Sequence, residues 1–225
     1  MSEKELAIDS RVSLGDGNSM PLLGLGTWAA QPGGETREAV AFALETGYRH
    51  IDTAKMYNNE RDVGEAVRQS GIPRADIFVT TKLWDSDQGH QPAHDAFDRS
   101  MEQLGLEYVD LYLIHWPVEN LRNDSWHALE EIKESGRARS IGVSNFSHKH
   151  LQELFSHSDT RPVVNQIELS PFLQQPPIAS FCRSESIQLT GYCPLAKGRR
   201  FDNTVLTDIA ERSEERRVGK ECRSR

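Results

Sequence analysis

Residues 77–116, IFVTTKLWDSDQGHQPAHDAFDRSMEQLGLEYVDLYLIHW, contain the pattern that is most informative about the fold. It begins with an apolar, β-branched run at 77–83 and ends with a second apolar run at 109–116. Between them, residues 92–104 have the apolar spacing of a helix, which Gly105 terminates. A strand, a helix and a strand in this order are typical of the βαβ unit of a parallel sheet.

The same unit repeats along the chain. Strands are predicted at 22–28, 50–54, 77–83, 109–116, 138–145, 163–170 and 187–195. Helices are predicted at 35–45, 60–70, 92–104, 124–134, 147–158 and 177–184. Ahead of the first strand, the turn residues Gly-Asp-Gly-Asn within 11–21 predict a short hairpin, placed to cap the bottom of a barrel.

An open, doubly wound sheet would also give this alternation of strands and helices. Its dinucleotide-binding form needs a GxGxxG sequence between the first strand and the first helix. Here Gly24-Leu25-Gly26 is followed by Thr27 and Trp28, and the third glycine is missing. We therefore predict an α/β fold, a (β/α)₈ TIM barrel that is truncated after strand 7.

Composition narrows the possible functions. A chain of 225 residues with 37% hydrophobic residues is sized for one globular domain. The net charge of -8 disfavours binding to nucleic acid, and the longest apolar runs are too short to cross a membrane. The first residues lack the pattern of a secretion signal, and the 3 cysteines have no CxxC spacing. We expect a cytoplasmic protein with a small-molecule partner and no nucleic-acid or membrane partner.

Polar residues recur where the predicted strands end, which is where barrel enzymes place their catalytic groups. Four segments stand out: HIDTAKMYNNE at 50–60, TTKLW at 80–84, LIHWP at 113–117 and GVSNF at 142–146. Together they resemble the aldo-keto reductase family, and its diketogluconate-reductase group in particular, over about 11–211. The resemblance implies an enzyme that reduces a carbonyl to an alcohol with NADPH, with NADH as the alternative cofactor.

The chemistry of four residues agrees with this resemblance. A tyrosine phenol is a poor acid at neutral pH, but a nearby ammonium group lowers its pKa. We expect Lys82 to act in this way on Tyr57, Asp52 to hold Lys82 in place, and His115 to hydrogen-bond the substrate oxygen. The resemblance assigns the catalytic roles to the same four positions, with Tyr57 as the proton donor.

The resemblance also implies binding residues. Those for the cofactor are Thr27, Trp28, Asp52, Ser144, Asn145, Gln166, Tyr192, Cys193, Pro194 and Leu195. Ser144, Asn145 and Gln166 would bind the carboxamide, Tyr192 would stack on the nicotinamide, and the three residues after it would follow the pyrophosphate. The substrate pocket would be formed by Trp28, Trp84, His115 and Trp116.

The end of the chain departs from the family pattern. The resemblance implies that residues 1–211 form an incomplete barrel, without the eighth strand that would grip the 2′-phosphate of NADPH. Residues 212–225 resemble the translation of a sequencing adapter, which predicts a non-native tail. We expect an open barrel of this kind to be unstable and poorly active. The family default is a monomer.

Two other functions stay open at this stage. A barrel of this type could serve as a cofactor-binding sensor, and the chain could be an inactive fragment of a reductase. His90 and His94 lie four residues apart and could share a metal ion, but no glutamate accompanies them as in HExxH. We therefore predict no metal site.

Overall fold

The computed structural model describes residues 6–212. Its strands are β1 Arg11–Ser13, β2 Ser19–Pro21, β3 Leu25–Gly26, β4 His50–Asp52, β5 Phe78–Leu83, β6 Val109–Ile114, β7 Ala138–Ser144, β8 Val164–Glu168 and β9 Gln188–Tyr192. Its α-helices are α1 Gly34–Glu45, α2 Glu60–Gln69, α3 His90–Leu104, α4 Arg122–Glu134, α5 His148–His157, α6 Pro176–Ser184 and α7 Thr204–Arg212. Short 3₁₀ turns lie at Lys55–Tyr57, Arg74–Asp76, Asp85–Asp87 and Ala196–Gly198.

The strands β3 to β9 form one parallel sheet in which each strand pairs with the next in the chain. This order is that of a barrel, since a doubly wound sheet reverses its strand order part-way. The described residues thus build a nearly closed, seven-stranded parallel barrel with α/β connections. The predicted fold class is confirmed. Whether residues 1–211 are a single incomplete domain stays a prediction, and the predicted tail lies, from residue 213 onward, outside the described residues.

The predicted hairpin at the bottom of the barrel is confirmed. Strands β1 and β2 pair antiparallel, with Val12 opposite Met20. Leu14 and Met20 are buried against Phe78 and other apolar residues inside the barrel. The Asn18 side chain also donates to the backbone oxygen of Arg139, at 3.1 Å. The hairpin therefore closes the end of the barrel opposite to the strand tips that carry the polar residues.

The main core lies between the sheet and the outer helices. Strands β5 and β6 are buried along their whole length, as expected for a parallel sheet covered on both faces. Trp126, Phe97 and Tyr112 are among the largest fully buried side chains, and the rings of Phe97 and Tyr112 meet edge-on with centroids 4.8 Å apart. Helices α2 and α3 cross closely at Gly64, where an added Cβ would lie 1.8 Å from the backbone oxygen of Leu104.

Several predicted strands are too long at their carboxyl ends. Strand β6 ends at Ile114 and strand β7 at Ser144, so Trp116 and Asn145 lie in the loops that follow. Asn145 still donates its backbone N–H to the oxygen of Gln166 at 2.9 Å, but its φ of 62° turns the chain out of the sheet. The predicted site residues Trp116 and Asn145 thus lie just beyond the points where β6 and β7 end.

Within the described part of the chain, no helix is both long and apolar enough to cross a lipid bilayer.

Candidate active site

The four predicted catalytic residues gather at the mouth of the barrel. Asp52 is the last residue of β4, and Tyr57 ends the 3₁₀ turn that follows it. Lys82 lies near the end of β5, and His115 comes directly after β6. Because parallel strands end at the same edge, four residues spread over 64 positions of sequence face one space.

Lys82 is the centre of this group, and its side chain is only 1% exposed. Its ammonium nitrogen donates to Asp52 Oδ1, to the backbone oxygen of Thr53 at 2.9 Å and to the hydroxyl of Tyr57 at 3.5 Å. Burial alone would lower the pKa of Lys82, but the adjoining Asp52 carboxylate and the Tyr57 hydroxyl outweigh it, and the net pKa is raised. Lys82 is therefore a fixed cation at neutral pH.

Lys82 lowers the pKa of Tyr57, as predicted, but burial of the phenol outweighs this effect, and the net pKa is raised. Burial is the largest contribution to the raised pKa of the phenol, Lys82 opposes it, and the Asp52 carboxylate adds a smaller upward shift. Burial has this effect because it disfavours the charged phenolate relative to the neutral phenol. Tyr57 is thus a neutral phenol at neutral pH, with its proton available for transfer.

His115 is a neutral imidazole beside the phenol. Burial, assisted by the charge of Lys82, lowers its pKa to about 3. Its ring meets those of Tyr57 and Trp84 edge-on, with centroid distances of 5.8 and 5.1 Å. Among the described residues, its buried Nδ1 atom has no hydrogen-bond partner. The ring is therefore held by packing and retains hydrogen-bonding capacity.

A second polar group continues from Asp52 around the mouth. The Gln166 amide donates to Asp52 Oδ2 at 2.7 Å, and the Ser144 hydroxyl donates to the backbone oxygen of Gln166 at 2.8 Å. The Asn145 amide donates to Ser144 Oγ at 3.0 Å and accepts the Tyr192 hydroxyl at 2.9 Å. The predicted carboxamide-binding residues are thus brought together, and hydrogen bonds link them to the four residues above.

Thr27 is placed differently from the other predicted cofactor residues. Its hydroxyl is buried and lies 3.3 Å from the side-chain oxygen of Asn59, a residue for which no role was predicted. Asn59 is fully buried, accepts the Thr53 hydroxyl at 2.8 Å and donates to the backbone oxygen of Thr27 at 3.0 Å. This network ties the end of β3 to the end of β4. The only feature of the sequence that points to this network is that Asn59 directly precedes a predicted helix.

The three tryptophans predicted to line the substrate pocket lie around the mouth, and two of them are well exposed. Trp28 is 51% exposed and Trp116 is 43% exposed. Exposed aromatic groups around a concave polar site are typical of a surface that binds apolar ligands. Trp116 also lines a cavity of about 360 Å³, together with Asn145 and Ile167.

The segment after β9 crosses the same mouth. Cys193, Pro194 and Leu195 follow Tyr192 directly, and the backbone of Cys193 has a φ of 52°. Lys197 then places its ammonium nitrogen 4.6 Å from the centre of the Trp28 ring. The contact between Lys197 and Trp28 was not predicted from the sequence, because it depends on a turn that brings the segment after β9 back over the end of β3.

The aldo/keto reductase family model matches residues 22–224. The chain belongs to the aldo/keto reductase family. It is 51% identical over 204 residues to a 9,11-endoperoxide prostaglandin H2 reductase of Trypanosoma cruzi, covering 89% of this chain and 72% of the relative. It is 44% identical over 206 residues to a glyoxal reductase of Bacillus subtilis, covering 92% and 75%.

A solved structure of a Bombyx mori aldo-keto reductase in complex with NADP superposes on this aldo/keto reductase with a TM-score of 0.85. The two are 35% identical, and the match covers 93% of this chain and 77% of the other. The family resemblance drawn from the four sequence segments is therefore confirmed. The protein is an oxidoreductase of the aldo/keto reductase family, and its Bombyx mori neighbour was solved in complex with NADP.

Proposed function

We propose that this aldo/keto reductase reduces aldehydes and ketones to alcohols, using NADPH as the hydride donor and Tyr57 as the proton donor. The observation that carries the proposal is the contact of the Lys82 ammonium, itself held by Asp52, with the Tyr57 hydroxyl at 3.5 Å. A buried cation beside a neutral phenol stabilises the phenolate that forms when the proton leaves.

The protonation states of the site suit this step. The raised pKa of Tyr57 keeps its proton in place until an acceptor arrives, and the lowered pKa of His115 keeps that ring neutral. A neutral imidazole carries one N–H and donates it to the carbonyl oxygen, which orients the substrate for attack. As charge develops on that oxygen, Tyr57 transfers its proton, and solvent then restores the phenol. The products are an alcohol and the oxidised cofactor.

The residues around Asp52 suit a nicotinamide. When bound, NADPH supplies the hydride that becomes the carbinol C–H. The amide side chains of Asn145 and Gln166 offer both donors and acceptors, as a carboxamide requires, and the hydroxyl of Ser144 adds a third polar group. Tyr192 offers a flat ring beside them. Trp28, Cys193, Pro194 and Leu195 stay predicted contacts, as does Thr27, whose hydroxyl already serves the buried Asn59 network. NADH is the alternative cofactor.

The substrate we propose is a small carbonyl compound with an apolar or aromatic group. Trp28, Trp84 and Trp116 surround the mouth, and the cavity beside Trp116 has room for a group of that size. The edge-on contact of Trp84 with His115 holds the hydrogen-bond donor next to these apolar walls. Relatives named glyoxal reductase and 9,11-endoperoxide prostaglandin H2 reductase support a reductase of oxygen-containing compounds.

The experiment is a panel of aromatic aldehydes and 2-keto sugars, incubated with the purified 225-residue chain and either NADPH or NADH. Cofactor oxidation is followed by absorbance, and cofactor binding is followed separately by protein fluorescence. With NADPH deuterated at nicotinamide C4, we expect the deuterium on the carbinol carbon of the product. Tight NADPH binding without turnover of any carbonyl, by a chain that circular dichroism shows to be folded, would favour the sensor. A chain that neither binds NADPH nor turns over a carbonyl would favour the inactive fragment.

A further inference from the structure

The outer layer of helices carries a cluster of three metal-ligating side chains that the reductase chemistry does not use. His90 and His94 lie one turn apart on α3, and Glu131 lies on the neighbouring helix α4. The Nε2 atoms of the two histidines are 3.1 and 2.9 Å from the two carboxylate oxygens of Glu131. One ligand atom from each residue can be chosen so that all lie within 4.8 Å of one another.

The cluster is held together by the packing of the two helices. Residues four apart on a helix share a face, and the two imidazole rings meet with centroids 5.3 Å apart. The start of α3 is anchored to α4 because the backbone N–H of Gly89 donates to the Ser125 hydroxyl at 2.8 Å. Little rearrangement is needed to bring the three side chains onto one ion, which limits the entropic cost of binding.

We propose that His90, His94 and Glu131 bind one Zn²⁺ ion, which joins helices α3 and α4. Two imidazoles and one carboxylate are a ligand set that zinc uses, with bonds of about 2.0–2.2 Å. Ligands at that distance in a tetrahedron lie about 3.4 Å apart, close to the spacing of the cluster. The side chains of His90 and Glu131 are half exposed, so water completes the coordination from the open side.

The nature of the ligands argues for zinc over the hard cations. Mg²⁺ and Ca²⁺ prefer shells made of oxygen atoms, whereas two of the three groups here are imidazole nitrogens. The imidazoles must be neutral to coordinate, and the carboxylate supplies the negative charge. An ion that binds only the folded state stabilises it by mass action, so zinc would act here as a clip on the outer face of the barrel.

The test uses the purified 225-residue chain, freed of metal with EDTA and then titrated with ZnCl₂ by calorimetry. We expect one Zn²⁺ per chain and a higher melting temperature in zinc than in EDTA. The variants His90→Ala, His94→Ala and Glu131→Gln should each weaken zinc binding by at least about 100-fold, since changing even the partners of metal ligands costs about 10- to 100-fold.

The matched control is His127→Ala, which removes a half-exposed histidine of α4 that pairs with Glu130 outside the cluster. It should bind zinc as the parent chain does. Melting curves in EDTA check that all four variants fold alike. The proposal is overturned if the chain takes up no zinc, or if Glu131→Gln and His94→Ala bind zinc as tightly as the parent, since the ion would then lie elsewhere.

Discussion

Removing the Lys82 ammonium without changing the shape of the site should cost transition-state stabilisation that can be estimated from the structure. The Lys82 nitrogen lies 3.5 Å from the Tyr57 oxygen. At an effective dielectric constant of about 20, a full charge on that oxygen interacts with the ammonium by about 5 kcal/mol, and a half-developed charge by about 2 kcal/mol. Lys82→Met should therefore lower kcat for carbonyl reduction by roughly 30- to 5,000-fold.

The variant also leaves the Asp52 carboxylate without its partner, which destabilises the fold independently of catalysis. The double variant Asp52→Asn/Lys82→Met removes both charges and separates the two effects. Lys133→Met, which removes a lysine paired with Asp16 at the bottom of the barrel, is the control. Initial rates of NADPH oxidation are compared at saturating aldehyde, with circular dichroism as the check of folding. A folded Lys82→Met chain that keeps kcat within about threefold of the parent would refute the electrostatic reasoning.

Three further predictions follow from the site and its scaffold. Because Tyr57 donates as a neutral phenol and His115 as a neutral imidazole, the reduction rate should stay level through neutral pH. It should fall above the raised pKa of Tyr57, where the phenol has lost the proton that it donates, as a pH profile of kcat/KM would reveal. Gly64→Ala should lower the free energy of unfolding by about 1–3 kcal/mol or more in urea titrations. The reason is that the added Cβ would lie 1.8 Å from the backbone oxygen of Leu104, at the end of α3. Gly26→Ala, with open space at its Cβ, is the matched control. Trp84→Ala should raise KM for aromatic aldehydes and lower kcat, since it removes the ring that packs against His115. An unchanged KM would contradict the prediction that Trp84 lines the substrate pocket.

The barrel could be predicted because each of its strands and helices is recognisable from a short segment of the sequence. Each βαβ unit shows its strands as apolar runs and its helices by spacing, and the order of parallel strands follows from short connections. The catalytic group follows from the same logic, since residues at the carboxyl ends of neighbouring strands must meet. The sequence alone therefore predicts that Asp52, Lys82 and His115 lie close together.

What could not be predicted depends on contacts across the fold. The net pKa shift of Tyr57 is upward because burial of the phenol outweighs the effect of Lys82, and the extent of burial has no local signature in the sequence. The buried role of Asn59 depends on three chain segments that meet only in the folded barrel. Glu131 follows His94 by 37 positions, so a search for HExxH within one helix could not find it.

The most direct test of the central claim is the effect of Tyr57→Phe on aldehyde reduction, with NADPH binding measured on the same sample. Tyr48→Phe, which removes a hydroxyl from the loop before β4, is the matched control. If Tyr57 is the proton donor, kcat should fall by about 100- to 10,000-fold, the range for losing a general acid, while the Kd for NADPH and the control stay unchanged. Turnover by Tyr57→Phe within tenfold of the parent chain would contradict the account.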